Sequence, residues 1–201
     1  MRSFNSFEFI GCRFKINKDC ITGLSEMKLS KNIYCPDIAN VAIYNGTFSD
    51  KEVVIRFNVI KDNNKAQMLS SLKIASLMSD NDIGPNIIKR VICSGLHKLS
   101  DKESWEPVKI SIIIMERLKM GLDDYYEKFE KNWDDVKHLI IPLVEKMHSL
   151  GVEHNDLHKW NVMVNADENG DIDKVKIIDF DDAKLYNSPV ISDKDMNALT
   201  N

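Results

Sequence analysis

Three side chains in the second half of the sequence have the chemistry of a metal and phosphate site. Asp156 and Asn161 stand just before or at an apolar run, residues 161–164. A second apolar run, 175–178, leads into Asp179, Asp181 and Asp182. Between the runs lies Asp167-Glu168-Asn169-Gly170, a polar turn sequence, so the pattern predicts a β-hairpin. A hairpin brings its two ends together, and Asp156, Asn161 and Asp179 are therefore expected to converge on one small volume. Two or three hard oxygen ligands around one point suit a magnesium ion, which keeps its other positions for water and phosphate.

The string His154-Asn155-Asp156-Leu157-His158-Lys159-Trp160-Asn161 resembles the protein-kinase catalytic loop H-R-D-L-x-x-x-N, and Ile178-Asp179-Phe180-Asp181 resembles its D-F-G segment. The resemblance is to the protein-kinase-like superfamily. It implies an α+β, bilobal protein-kinase-like fold with a small β-rich N-lobe and a truncated, mostly helical C-lobe. The whole chain, 1–201, is then one kinase-like domain, with the N-lobe over about 1–115 and the C-lobe over about 119–201. The cofactors implied are ATP and magnesium, with manganese as the alternative ion. Asp156 would accept or orient the proton of the attacking hydroxyl, and Asn161 and Asp179 would hold the metal against the triphosphate. His154 would be structural, packing and hydrogen-bonding beneath the loop.

The elements that have to position these residues follow from periodicity. Residues 1–27 carry scattered apolar positions consistent with one or two short strands or a helix. From 28 to 59 the pattern is β-rich, with strands expected at 41–44 and 53–59 joined by turn chemistry over 45–50. Val53-Val54-Ile55-Arg56 is similar to the family's V-A-I-K, which puts Arg56 at the phosphate-binding lysine; arginine keeps the charge but is not equivalent to lysine. No glycine occurs between Ser30 and Asn40, where the family has its glycine-rich loop. Ser30, Lys31 or Asn32 side chains would then serve the nucleotide.

Residues 65–79 read as a helix stopped before Gly84-Pro85. This is the αC-like helix, yet it contains no acid to pair with Arg56. Gln67 is the nearest polar substitute, and Asp179 is another acid open to Arg56. Strands are expected at 87–94 and 108–115, the second almost continuously apolar and so a buried central strand, with a polar connection around 100–106. It runs into Met115-Glu116-Arg117-Leu118, which resembles the kinase hinge. The resemblance assigns the Glu116 carbonyl and the Leu118 backbone to the adenine edge and makes Met115 the residue gating the back pocket. Asp123 or Asp124 would reach the ribose or cap a helix. Helices are expected at 125–129 and 134–150, the latter with Pro142 inside and Gly151 as its stop. Trp105, Trp133 and Trp160 read as packing anchors. Beyond Asp182 the pattern indicates a short helix or a frayed tail.

Composition bounds the reading further. The chain has 201 residues, 43% of them apolar, and a net charge of −4, so a real core is possible and nothing marks it as a nucleic-acid binder. Cys12, Cys20, Cys35 and Cys93 have no C-x-x-C spacing and read as reduced, cytosolic thiols. The start shows no signal-peptide h-region, and no run of about 18 apolar residues exists to span a membrane. The expected location is cytoplasmic, or the host cytosol for a viral or secreted effector; the expected partner is a protein substrate, a host protein included, with no nucleic acid and no membrane.

The acceptor is read from two sets of residues. His158, two after Asp156, matches H-x-D-L-H of aminoglycoside-phosphotransferase-like enzymes, and Ile178-Asp179-Phe180-Asp181-Asp182-Ala183 resembles their I-D-F-D-D-A; the approach through residues 74–85 is similar to kinases of small molecules. Lys159 would steady the transferring phosphate, which makes Asp156, His158 and Lys159 the catalytic candidates. Against a small acceptor stands the short chain after Asp182, with no extension to build an acceptor pocket. The expectation is therefore a minimal, atypical Ser/Thr protein kinase resembling truncated viral or bacterial effector kinases. The alternatives are a small-molecule kinase of aminoglycoside or choline type and a nucleotide-binding pseudokinase scaffold.

Overall fold

The computed structural model describes residues 6–8, 14–17, 24, 26–34, 40–98 and 104–199. Its strands are β1 (Ser6–Glu8), β2 (Phe14–Asn17), β3 (Met27–Tyr34), β4 (Val41–Phe48), β5 (Lys51–Ile60), β6 (Ile87–His97), β7 (Glu106–Glu116), β8 (Met120–Gly121), β9 (Val152–Glu153), β10 (Val162–Ala166), β11 (Ile172–Ile177) and β12 (Lys184–Leu185). Its helices are α1 (Lys65–Asp80), α2 (Leu122–Phe129), α3 (Trp133–Ser149) and α4 (Asp193–Ala198). Cys12, Cys20 and Cys35, the loop at 35–39 and the start of the connection before β7 lie outside the described residues.

Chain contacts divide the molecule into two compact units: Met1–Lys65 with Ile87–Arg117, and Ala66–Asn86 with Leu118–Asn201. α1, read from sequence as the αC-like helix, thus belongs to the second unit. The fold is mixed α and β, compatible with a small kinase-like protein.

The first unit is a seven-stranded antiparallel sheet in the order β1-β2-β6-β7-β5-β4-β3. Val53, Ile55, Phe57 and Val59 of β5 alternate into its core with Ala42 and Tyr44 of β4. β7 is the middle strand, and its residues from Ile110 to Ile114 are all buried, so both faces are covered. That is why the strand reads as a continuous apolar run.

The turn expected at 45–50 is corrected by the structure. β4 continues through Phe48, and only Ser49 and Asp50 turn, with φ of 50° and 59°. Positive φ at both central residues is the geometry of a two-residue hairpin whose twist matches its strands. Asn45, Gly46 and Thr47 mimic a turn by composition, but Gly46 points inward where the backbone of β3 comes close. A Cβ there would run into the Lys28 carbonyl and the Ile55 side chain.

The second unit has its own core. Ile74 and Met78 of α1, Val136, Ile140, Val144 and Met147 of α3, and Val162, Val164 and Ile177 of the β10–β11 hairpin are all buried in it. α3 starts at a capping box formed by Asn132 and Asp135, and runs through Pro142 without interruption. It ends at Gly151, whose φ of 76° suits glycine. The expected hairpin is present: β10 pairs antiparallel with β11, and β8 pairs with β10 on its other side. Among the described residues no helix is long and apolar enough to cross a membrane.

Adding one methyl group at Gly46 is expected to overpack the β3–β4–β5 face. Gly46→Ala should lower the unfolding free energy by about 1–3 kcal/mol, read by urea denaturation.

Candidate active site

The loop from His154 to Asn161 and the segment after β11 are joined through the backbone of one residue, Ile178. The Ile178 N–H donates to the Asn161 carbonyl at 2.9 Å. The Ile178 carbonyl faces His154 Nε2, also at 2.9 Å. Asp179 is the next residue, Asn161 is bonded from one side, and Asp156 lies two residues past His154. Hydrogen bonds, not just the hairpin, therefore bring the three candidate residues to one end of the β10–β11 pair.

Each is oriented by its neighbours. Asn161 is buried and ends a single 3-10 turn over Lys159–Asn161. Its Nδ2 donates to the Asp156 carbonyl at 2.9 Å and approaches His158 Nε2 at 3.2 Å. This fixes which end of the amide is nitrogen and leaves Oδ1 turned away from both partners. The Asp156 side chain is 55% exposed and its Oδ2 lies 3.6 Å from His158 Nε2, beyond hydrogen-bond range. Asp179 is exposed and sits at φ 62°. Asn155 sits at φ 68°. A non-glycine residue in this region is strained by about 1–2 kcal/mol and stays there only where its surroundings hold it.

His154 is fully buried, its ring 5.1 Å from that of Phe180. Burial pushes its pKa down, outweighing the Ile178 carbonyl and the nearby acids, Asp195 first. A neutral ring facing a carbonyl through Nε2 carries its proton there, and among the described residues Nδ1 has no partner. The structural role expected of His154 fits this setting.

Asp195 is the site residue that sequence reading did not single out. Its side chain is wholly buried and accepts from the His154 N–H at 2.8 Å, the Asn155 N–H at 3.0 Å and His148 Nε2 at 3.0 Å. Lys194 Nζ donates to the Asn155 carbonyl. The segment read as a short helix or frayed tail is α4, with Ser192 as its N-cap. Ser192-x-x-Asp195 is a capping pattern, a signal that a helix starts there; it does not reveal that the acid turns inward.

The remaining predicted residues are placed as follows. Lys159 Nζ is 2.7 Å from Asp123 Oδ1, and Trp160 Nε1–H donates to Asp123 Oδ2 at 3.0 Å. These two donors, the ammonium first, hold the Asp123 carboxyl below the usual carboxylate range. Asp123 does not cap α2; Gly121 occupies that position. Trp160 is 62% exposed, which corrects its reading as a packing anchor. Trp133 does pack on the core, and Trp105 lies under the Lys15 ammonium. Arg56 is half-buried on the face of β5 opposite Ile55 and Phe57, its Nε donating to Asn58 Oδ1 at 3.0 Å. Met115 and Glu116 end β7, opposite Val54 and Val53, and Leu118 is buried. Gln67 and Ser71 of α1 both reach Asp181: Nε2 to its carbonyl at 3.5 Å, and Oγ to Oδ1 at 3.2 Å.

Among the described residues no three His, Cys, Asp or Glu side chains gather into a metal cage. Magnesium does not ask for one, since one or two protein oxygens suffice when phosphate supplies the rest. Asn161 Oδ1, at the other end of the amide from the Asp156 carbonyl, and the exposed Asp179 carboxylate are oxygen donors of the chemical type it takes.

Residues 99–201 match the model of a family described as lipopolysaccharide kinase (Kdo/WaaP), which lies within the protein-kinase-like superfamily. No curated protein matches the chain.

Two outcomes follow from the buried contacts. Asp195→Asn keeps the shape but turns an N–H₂ group toward at least one donor. It should cost about 1–3 kcal/mol in urea denaturation and lower kcat as the loop loosens. His154 has a depressed folded pKa, so its contribution to stability is present above the unfolded value, about 6.5, and is lost as pH falls below it toward the folded value. In stability–pH profiles, wild type should lose more stability over that window than His154→Phe.

Proposed function

We propose, from the premise that this chain belongs to the lipopolysaccharide kinase (Kdo/WaaP) family, that it transfers the γ-phosphoryl group of ATP to a hydroxyl of a saccharide. Membership makes it a kinase, a phosphotransferase with a hydroxyl acceptor. The acceptor in the family's description is lipopolysaccharide, which favours a sugar over the protein hydroxyl expected from sequence.

The observation that supports the reading is the Ile178 backbone, whose N–H bonds to the Asn161 carbonyl and whose carbonyl meets His154 of the Asp156 loop, immediately before Asp179. Phosphoryl transfer asks the protein mainly for positioning and charge stabilisation. Asp156, exposed at the loop surface, accepts the acceptor proton as the hydroxyl oxygen bonds to the γ-phosphorus and the bond to the β–γ bridging oxygen breaks, releasing ADP. His158 stands beside Asp156 and limits where its carboxylate swings. Asn161, through Oδ1, and Asp179, through its carboxylate, are the residues that would hold magnesium. That ion, when bound, neutralises charge on the phosphate oxygens. Lys159 is a second cation near the loop, steadied by Asp123. The reading keeps Arg56, Met115, Glu116, Leu118 and Asp123 as nucleotide-binding positions on the strength of the kinase resemblance.

The test is labelled ATP with magnesium, offered in parallel deacylated lipopolysaccharide and a protein lysate. Label is expected on the saccharide, and Asp156→Asn should cut kcat by about 10²- to 10⁴-fold. Label confined to protein would overturn the acceptor, and a wild type no more active than Asp156→Asn would overturn turnover itself. In a separate binding measurement, Mg-ATP should raise the melting temperature of wild type, and Asp179→Ala should abolish most of that rise.

A further inference from the structure

The exposed Trp160 has no role in the chemistry above, and its setting is not that of a stray surface aromatic. Trp160 lies inside the candidate catalytic loop, one residue before Asn161. Its indole is held at the edge: Nε1–H is bonded to Asp123 Oδ2 at 3.0 Å, and the His158 ring meets it edge-on, centroids 5.3 Å apart. The Lys159 ammonium lies over one side of the ring, 5.7 Å from its centre, while also paired to Asp123, which leaves the other side for a partner. With its polar atom already satisfied and 62% of the residue open to solvent, what the indole offers outward is largely aromatic face.

That face is also close to the chemistry. His158 touches Trp160 on one side and has Asp156 Oδ2 within 3.6 Å of its Nε2 on the other. A single imidazole separates the platform from the candidate base.

We propose that Trp160 is the acceptor-binding platform, on which a sugar ring stacks while one of its hydroxyls is presented to Asp156. The inference rests on the sugar-kinase reading and deepens it. The chemistry of the patch selects a saccharide. A pyranose has an apolar C–H face and a rim of hydroxyls. Here one flat aromatic face is bordered by His158, Lys159 and Asp123, all hydrogen-bonding groups. An apolar peptide anchor asks instead for a pocket or groove of several apolar side chains. Among the described residues, Trp160 is the only large apolar side chain exposed on this loop. Because Asp123 fixes the ring before anything binds, stacking requires no further ordering of the side chain.

The test compares wild type, Trp160→Ala and Trp160→Phe with Mg-ATP and two acceptors, deacylated lipopolysaccharide oligosaccharide and a serine-containing peptide. Trp160→Ala should raise KM for the oligosaccharide about tenfold, the size of effect seen when a stacking aromatic is removed, with KM for ATP unmoved. Trp160→Phe keeps an aromatic face and should stay within about threefold of wild type; it also serves if the alanine variant folds poorly. Titrating the oligosaccharide should change the tryptophan emission of wild type and leave that of Trp160→Phe unchanged. Oligosaccharide turnover with the same KM in all three proteins overturns the platform and leaves the sugar-kinase reading standing. A wild type that labels the peptide alone, or neither acceptor, overturns that reading and the platform with it.

Discussion

The Asp195 carboxylate is shut away from solvent, so its charge has to be met inside the protein. It is met by the backbone of His154 and Asn155 and by the ring of His148. Two of these donors belong to the loop that carries Asp156. Moving the loop would strand a buried charge, and a buried charged acceptor without its donors costs more than the about 1–3 kcal/mol of a neutral one. The loop is therefore held from beneath by α4 and from the side by the hairpin. His148 adds α3 to the same contact, so α4, α3 and the loop meet at a single side chain.

This rigidity accounts for the backbone angles at the site. Asn155 and Asp179 both occupy the left-handed region. Such a conformation relaxes unless neighbours enforce it. Asn155 is enforced by Asp195 on its N–H and Lys194 on its carbonyl. Asp179 is flanked by Ile178, bonded through both its N–H and its carbonyl, and by Phe180, packed on His154.

The inner and outer sides of the loop contrast in chemistry. Inward, His154 is buried and neutral, and among the described residues its Nδ1 has no partner. Outward, Asp156 and Trp160 are open, Lys159 and Asp123 are paired, and the His158 ring lies against Trp160. A phosphotransferase needs both: a fixed frame for metal and phosphate, and an accessible side where an acceptor arrives already oriented. The Asp123 contacts to Lys159 and Trp160 order that accessible side without burying it.

Much of this was written in local pattern. The hairpin, the long helix ending at Gly151, the buried middle strand and the His154–Asn161 string are all visible as periodicity, turn chemistry and residue spacing, because each depends on neighbours within a few positions. Gly46 was misread because a glycine in a turn and a glycine under a neighbouring strand look alike in sequence. Trp160 was misread because its spacing says nothing of whether a ring turns inward or is pinned outward by Asp123, 37 positions away. Asp195 was passed over for the same reason: its partners lie 40, 41 and 47 positions back. Sequence alone determined which residue types stand at spacings suited to the chemistry and which elements bear them; tertiary structure alone decided which acid is buried to hold the loop and which aromatic is left facing solvent, since burial is set by what the folded chain brings alongside.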